Sequence, residues 1–564
     1  MLIGKRCLIM LKTRLVSSQV KAFSDESVES YKPLERLSAL LGERISCQLL
    51  YQFVREESDG GFYGYNCIPT LSGELAKYAT VRRVCHVPVV YPVTPKHDEN
   101  YLRTTPGVYP DLLVPLSYEG KFRAVYNCLD SLWIEINLPT DAAELAGEAS
   151  LTVSIDREDN GAHLTDDTLT VDVIPAVLPE QTISFTQWVH CDCLANYYGV
   201  DVWSKRHWEI IESFARVAVR NGVNTILTPL LTPSLDGPRR IAQLVKVTKK
   251  ADRYSFSFTR LGKWIDMCDR IGIKNFEISH FFTQGGAHHT PRVVATVDGV
   301  EKMIFSYETD SRDPEYKKFL RALVKAFLRY MRRRGDDKRC LFHISDEPSK
   351  ASMEIYREAK ETVADLLAGY KMIDAIFDVE YYKSGLVTTP VPLSEHIGGF
   401  LELNVPELWT YTCCIPTQKC SNRFISMPSW RNRSIGMQLY KYRIAGFLHW
   451  GYNFYNNRLS GNAINPYSDL EGERWVAAGD TFSVYPAPDG TPYESIRIMV
   501  FTEALTDIRA MQLAERYYSH GEVVAAIEEE LGDTLTFERC AYTEDEMLRV
   551  RERINSMIKA AICK

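Results

Sequence analysis

Asp346 and Glu347 stand side by side at the end of an apolar run, in the stretch Leu341 to Pro348 that reads LFHISDEP. A strand buried on both faces accepts Leu, Phe and Ile, but a buried carboxylate pair is costly unless it is paired or used. Like charges held that close raise one pKa, which is how a protein keeps a carboxylic acid protonated near neutral pH and able to donate its proton. A structural reading competes with the chemical one. Asp, Glu and Pro are all favoured around a helix start, and Ser349 to Gly369 reads as a helix that the pair would cap.

The elements around the pair help to decide. Up to about Glu180 the pattern is short alternating runs broken by turns: SLWIEINLP alternates, and SLTVSIDREDNG followed by DTLTVDVIP reads as strand, turn and strand. This predicts an N-terminal antiparallel β-sandwich over residues 1–180. After Gln181 strands alternate with helices. The predicted strands are TISFTQWVH, NTILTP, NFEISHFF, RCLFHIS, KMIDAIFD, TTPVPL, ELWTYTCC and AGFLHWGYN, with a hairpin insertion, QLVKVTKKADRYSFSF, ahead of the third. Eight strands in series over roughly 270 residues have the size of a (β/α)8 TIM barrel, assigned to residues 181–492. A helical C-terminal extension, 493–564, carries apolar stripes in Ile496 to Tyr518, Glu522 to Leu531 and Glu544 to Ile562.

Such a barrel works at the C-terminal ends of its strands. Strand one ends in His190 and Asp192, strand three in His280 and the loop TQGGAHH, and strand four in Asp346-Glu347. Strand seven carries Trp409 and Tyr411, and strand eight ends in His449, Trp450, Tyr452 and Asn453. Each alone is compatible with ordinary core packing. Together on one rim they suit a carbohydrate site with two carboxylates and aromatic platforms, and aromatics at 11% of the chain, with 31 Tyr and 9 Trp, suit stacking on sugar rings.

Composition excludes other classes. A net charge of -7 offers no basic excess for a nucleic-acid backbone. The densest basic cluster, Arg332 to Arg334 with Lys338 and Arg339, complements a helix C-terminus closed by Gly335. The apolar run from Cys7 to Leu11 is too short for a signal peptide, and no window reaches membrane-span length. The 14 cysteines then imply reduced thiols in a cytoplasm. Cys191 with Cys193 and Cys413 with Cys414 lack C-x-x-C spacing, so they read as buried thiols, and neither a metal nor an organic cofactor is expected.

The segments WVHCDCLANYYGV, HFFTQGGAHHTPRVVATVDG, FHISDEP, ELWTYTCC, GFLHWGYNFYNN and YESIRIMVFTEALTDIRAMQLAE resemble, in order, the glycoside hydrolase family 123-like proteins, also known as domain of unknown function 4091. The resemblance implies a β-sandwich followed by a TIM barrel, and removal of terminal β-linked N-acetylgalactosamine with help from the substrate's own acetamido group. It implies that Asp346 orients and polarises the acetamido nitrogen. Glu347 would protonate the leaving oxygen and then act as base on water. Tyr411 or Tyr452 would bond the acetamido oxygen, and Trp409 or Trp450 would stack on the sugar. His190, Asp192, His280 and Asn453 complete the expected binding set. The implied enzyme is a retaining, exo-acting β-N-acetylhexosaminidase. The rival readings are a glycan-binding protein without turnover and a glycosidase for another sugar. Gly285 stands where relatives often carry an aromatic, which bears on sugar identity. The family's familiar start resembles MLKTRLVSS from Met10, which marks residues 1–9 as an upstream, misassigned start.

Overall fold

Each of the eight strands expected after Gln181 forms a strand of one parallel sheet in the protein's computed structural model, which describes residues 10–54, 64–117, 119–234 and 240–563. Residues 1–9, read above as an upstream start, lie outside the described residues. The strands are β1 (Ser184–Gln187), β2 (Thr225–Thr228), β3 (Asn275–Ile278), β4 (Cys340–Phe342), β5 (Lys371–Ile376), β6 (Thr389–Pro392), β7 (Trp409–Thr412) and β8 (Gly446–His449). They neighbour one another in the order β6-β5-β4-β3-β2-β1-β8-β7. A parallel bridge between Leu393 and Tyr411 joins the two ends, so the sheet is a nearly closed barrel. Alternate side chains point inward, and Trp188, Leu227, Leu341, Ile373, Ala375, Val391, Trp409, Tyr411 and Leu448 form one core cluster.

The helices between strands start and stop where sequence chemistry says they should. Ser204 caps Lys205–Arg220 by accepting from the His207 N–H at 3.2 Å, and Trp208, Ile211, Phe214, Ala215 and Ala218 are buried along that helix. Asp313 caps Pro314–Arg334, whose stripe from Phe319 to Met331 is buried, and Gly335 ends it at φ 82°.

Two local expectations change. The segment after β3 forms a second hairpin, Val293–Val297 with Val300–Phe305, which pairs with Lys246–Lys250 of the expected hairpin into a four-stranded sheet. Its signal was Asp298-Gly299, both at positive φ, the chemistry of a tight hairpin turn. The helix expected from Ser349 is shorter, with a single turn at Lys350–Ser352 followed by α-helix over Met353–Glu361. The N-cap position of that first turn is Ser349, two residues beyond Glu347.

The barrel unit comprises Thr182–Cys420 and Tyr442–Pro492; the other unit gathers Met1–Gln181, Ser421–Lys441 and Tyr493–Lys564. The C-terminal helices therefore pack with the N-terminal β-rich region, and so does the helix Ser429–Lys441, which the sequence reading had placed within the barrel series. That region holds two five-stranded sheets whose inner faces share one apolar core, including Leu49, Tyr51 and Ile134 from one and Leu151, Val153 and Val171 from the other. All pairs in the first sheet are antiparallel. In the second, Arg36–Leu41 lies parallel to His163–Val177, because a long excursion rather than a hairpin connects them. No helix of the described residues is long and apolar enough to cross a membrane.

A buried ionic cluster ties the C-terminal helices to this unit. Arg433 forks onto Asp507 at 2.7 and 2.9 Å and reaches Glu503 at 2.9 Å, while Arg551 bridges Asp507 at 2.8 Å and Glu43 at 2.7 Å. Burial raises Glu503 to about 7, above what its arginine offsets. A carboxyl raised in the fold binds its proton more tightly folded than unfolded. Its contribution to stability is therefore complete below about pH 4.5 and is lost as pH rises toward about 7. Glu503→Gln should flatten that part of the stability–pH curve in urea denaturation; an unchanged slope would remove Glu503 from the account.

Candidate active site

Beneath the barrel's C-terminal rim lies a buried charge network. The His343 imidazole sits just past β4, 3.1 Å from Asp374 on β5 and 2.8 Å from Glu277 on β3. Burial alone would disfavour the imidazolium, but the two carboxylates outweigh it and hold His343 at about 9. Glu277 also accepts from Trp188 Nε1 at 2.7 Å and Thr186 Oγ1 at 2.6 Å. Asp374 accepts from the Ile344 N–H at 3.1 Å and from the Tyr356 hydroxyl. The neutral His280 ring packs on His343 at 4.1 Å between centroids, its own pKa driven down by burial and by the adjacent positive charge. His280, His343 and Asp374 present ligand-type atoms within 4.8 Å of one another. Both His343 nitrogens are committed to carboxylates, so the group is an ion-pair network in preference to a metal centre.

Above this network opens a cavity lined by carboxylates and aromatic rings. Its walls include Asp346 and Glu347, with Trp188, Gln284, Tyr411, Trp450, Trp475 and Asp480. Glu347 adopts φ 42°, a left-handed conformation that costs a non-glycine residue about 1–3 kcal/mol. The backbone around it is pinned: the Glu347 N–H donates to the Ala375 carbonyl at 3.0 Å, and the Gly285 N–H donates to the Asp346 carbonyl at 2.7 Å. Gly285 makes that contact at φ 78°, which explains glycine in this loop. The Tyr411 hydroxyl donates to Glu347 Oε1 at 2.5 Å. Burial pushes the Glu347 carboxyl above the usual carboxylate range, and the Tyr411 hydrogen bond opposes this without cancelling it.

Of the residues singled out from sequence, Asp346, Glu347, Tyr411 and Trp450 share this cavity. The other six lie outside its lining. His190 supports Trp450 from behind, its Nε2 2.9 Å from the Trp450 carbonyl, and burial lowers it to about 4. Asn453 bridges the His190 backbone, accepting from its N–H at 2.9 Å and donating to its carbonyl at 3.1 Å. Asp192 is buried in the first turn of Cys191–Tyr197. His280 belongs to the network below. Trp409 points into the barrel like Tyr411 but two residues lower, packed on Gly446, where a Cβ would meet its ring at 2.1 Å. Tyr452 is fully buried and donates to the Phe214 carbonyl at 2.8 Å.

Sequence reasoning missed Trp188, Gln284, Cys413, Cys414, Trp475 and Asp480 as lining residues. Trp188 had a signal, since it directly follows the apolar strand β1. Trp475 and Asp480 lie in the irregular chain after β8, where no periodicity points inward. They nonetheless fix Trp450: its Nε1 donates to Asp480 at 3.1 Å, and the two indoles are 5.6 Å apart.

Comparison with known proteins gives the family and the fold. The glycoside hydrolase 123 catalytic domain matches residues 188–514. The structure of a family 123 glycoside hydrolase from Clostridium perfringens, studied for glycolipid glycan hydrolysis, superposes with a TM-score of 0.73 at 14% identity, covering 98% of this chain and 99% of that one. A family 5 mannosidase from Rhizomucor miehei reaches a TM-score of only 0.33 at 12% identity, over 58% of this chain and 93% of that chain. No curated protein matches in sequence.

Glu277→Gln should test the network's weight. It leaves a buried imidazolium with one carboxylate, a change worth about 3–5 kcal/mol of stability. Chemical denaturation reads the loss, and a change below about 1 kcal/mol, the scale of a surface ion pair, would mean the network does not hold the strand ends.

Proposed function

The chain belongs to glycoside hydrolase family 123 and is a glycosidase, and on that premise we propose that it is a retaining, exo-acting β-N-acetylhexosaminidase. Its substrate is a glycan ending in β-linked N-acetylgalactosamine or a close relative. On this reading the barrel is a (β/α)8 TIM barrel, the two five-stranded sheets are a β-sandwich, and the free thiols serve in a cytoplasm.

The observation that carries the reading is the pair itself. Two adjacent carboxylates share one cavity, and one of them is raised by burial while held by Tyr411. A raised carboxyl is suited to give up a proton near neutral pH. In the first step the substrate's acetamido oxygen attacks the anomeric carbon while the bond to the leaving oxygen breaks. Glu347 gives its proton to that oxygen, and Asp346 holds the acetamido N–H and balances the developing charge. Water then attacks the anomeric carbon, Glu347 takes its proton, and the acetamido group is released intact. Two inversions give net retention, and no enzymic nucleophile is needed, an exception to the usual two-carboxylate arrangements. Of the tyrosines, Tyr411 is the one in reach of the cavity. When its hydroxyl turns from Glu347 to the acetamido oxygen, the effect that lowers the Glu347 pKa is withdrawn and its protonated form is favoured. Of the tryptophans, Trp450 offers the stacking face, steadied by Asp480 and Trp475.

The roles separate in kinetics. Glu347→Gln should lower kcat/KM by about 10²–10⁴-fold on poor leaving groups and spare activated aryl glycosides in the first step. Asp346→Asn should slow both. Replacing the substrate's acetamido group with hydroxyl should abolish turnover by the wild type. Equal hydrolysis of the hydroxyl analogue would sink substrate assistance and require another nucleophile.

A further inference from the structure

Trp450 and Trp475 both line the cavity that holds Asp346 and Glu347, and both are partly exposed. Trp188, the third tryptophan of that lining, is buried, and its Nε1 is committed to Glu277. The centroids of Trp450 and Trp475 are 5.6 Å apart and their planes meet at 56°. A sugar ring is a stiff disc that stacks by laying one apolar face flat on an aromatic face. Two indoles can share one such ring only as parallel walls, so planes meeting at 56° are platforms for two different rings. Buried Phe454 packs against both indoles, 5.1 Å from Trp450 and 6.1 Å from Trp475 between centroids, and holds that angle.

A strained turn delivers Trp475. Gly472, Glu473 and Arg474 stand consecutively at φ 62°, 59° and 64°, a left-handed turn that only glycine enters without steric cost. The Trp475 and Val476 N–H groups close it by donating to the Glu471 carbonyl at 3.0 and 3.1 Å. Its middle is held as well: Asn457 Nδ2 donates to the Glu473 carboxylate at 2.7 Å, and the Glu473 N–H donates to Asp469 at 2.9 Å. The Glu473 and Arg474 side chains are exposed, so their own burial does not account for the strain. Such strain gathers at ligand sites, and the first residue after this turn is a cavity wall.

We propose that Trp475 is the platform for the sugar on the leaving side of the scissile bond, an assignment that rests on the reading of this cavity as a β-N-acetylhexosaminidase site. Glu347 gives its proton to the oxygen that joins two residues of the substrate. Trp450 takes the terminal one, and the second indole meets the ring across that oxygen. The substrate class is therefore a glycan whose terminal N-acetylhexosamine is linked to another sugar ring. A methyl, alkyl or serine aglycone has no flat face to lay on Trp475.

The test compares Trp475→Ala with the wild type on methyl β-N-acetylgalactosaminide and on N-acetylgalactosamine β-linked to galactose. Taking the variant-to-wild-type ratio of kcat/KM for each substrate cancels the difference between the two leaving groups. That ratio should fall about tenfold or more on the disaccharide, the scale for truncating a tryptophan anchor, and less than about threefold on the methyl glycoside. Trp475→Phe keeps a flat face and should restore most of the loss; Trp475→Leu takes the place of the alanine variant if that one does not fold. Equal loss on both substrates would make Trp475 a support for Trp450 alone, and no loss on the disaccharide would leave it without a ring; either overturns the platform. Calorimetric binding to Glu347→Gln reads the same contrast without turnover. There the disaccharide should bind more tightly than N-acetylgalactosamine, and adding Trp475→Ala should remove the margin. A wild type that hydrolyses neither substrate defeats the catalytic reading, whereas a disaccharide bound no more tightly than the monosaccharide overturns the platform.

Discussion

One imidazolium, buried between two carboxylates, organises the catalytic half of this molecule. His343 lies within hydrogen-bond distance of Glu277 from β3 and Asp374 from β5, and Glu277 in turn anchors Trp188 just past β1. Without the positive charge, two carboxylates would face each other in a dry interior, an arrangement that costs several kcal/mol. With it, the ends of β1, β3, β4 and β5 are held by one set of contacts. Three residues after His343, the chain turns up into the cavity at Asp346. Asp346 and Glu347 therefore inherit their position from the buried network beneath them.

That arrangement separates strength from chemistry. The network is closed and fully buried, while Glu347 above it is partly exposed, strained at φ 42° and held by one tyrosine. Strain of this kind persists only where surrounding contacts over-determine it. Here those contacts include backbone ones, from the Glu347 N–H to the Ala375 carbonyl and from the Gly285 N–H to the Asp346 carbonyl.

Much of this was legible in the sequence, for a physical reason. Barrel strands are buried on both faces, so each of the eight reads as an apolar run bounded by polar or turn residues, and all eight were located. The carboxylate pair was legible because it breaks such a run. Depth was not legible. Trp409 and Tyr411 share a face by period two, yet only the higher of them meets the cavity. Nor could periodicity find Trp475 and Asp480, whose segment has none. Partnership over long distances was equally hidden: the helix Ser429–Lys441 has the spacing of a barrel helix but packs with the β-rich unit through Arg433 and its carboxylates.

That β-rich unit is assembled from three separated stretches of chain, and Glu43 near its beginning meets Arg551 near its end. During synthesis the ribosome emits the sheets first, then the barrel, and only afterwards the helices that complete the first unit. At about 5–20 residues per second the wait is on the order of tens of seconds. For that interval Glu43 is without its arginine partner and the sheet surface the helices will cover is open to water and to chaperones. A unit whose core contacts join Glu43 to Arg551 is therefore completed only after the intervening barrel has been made.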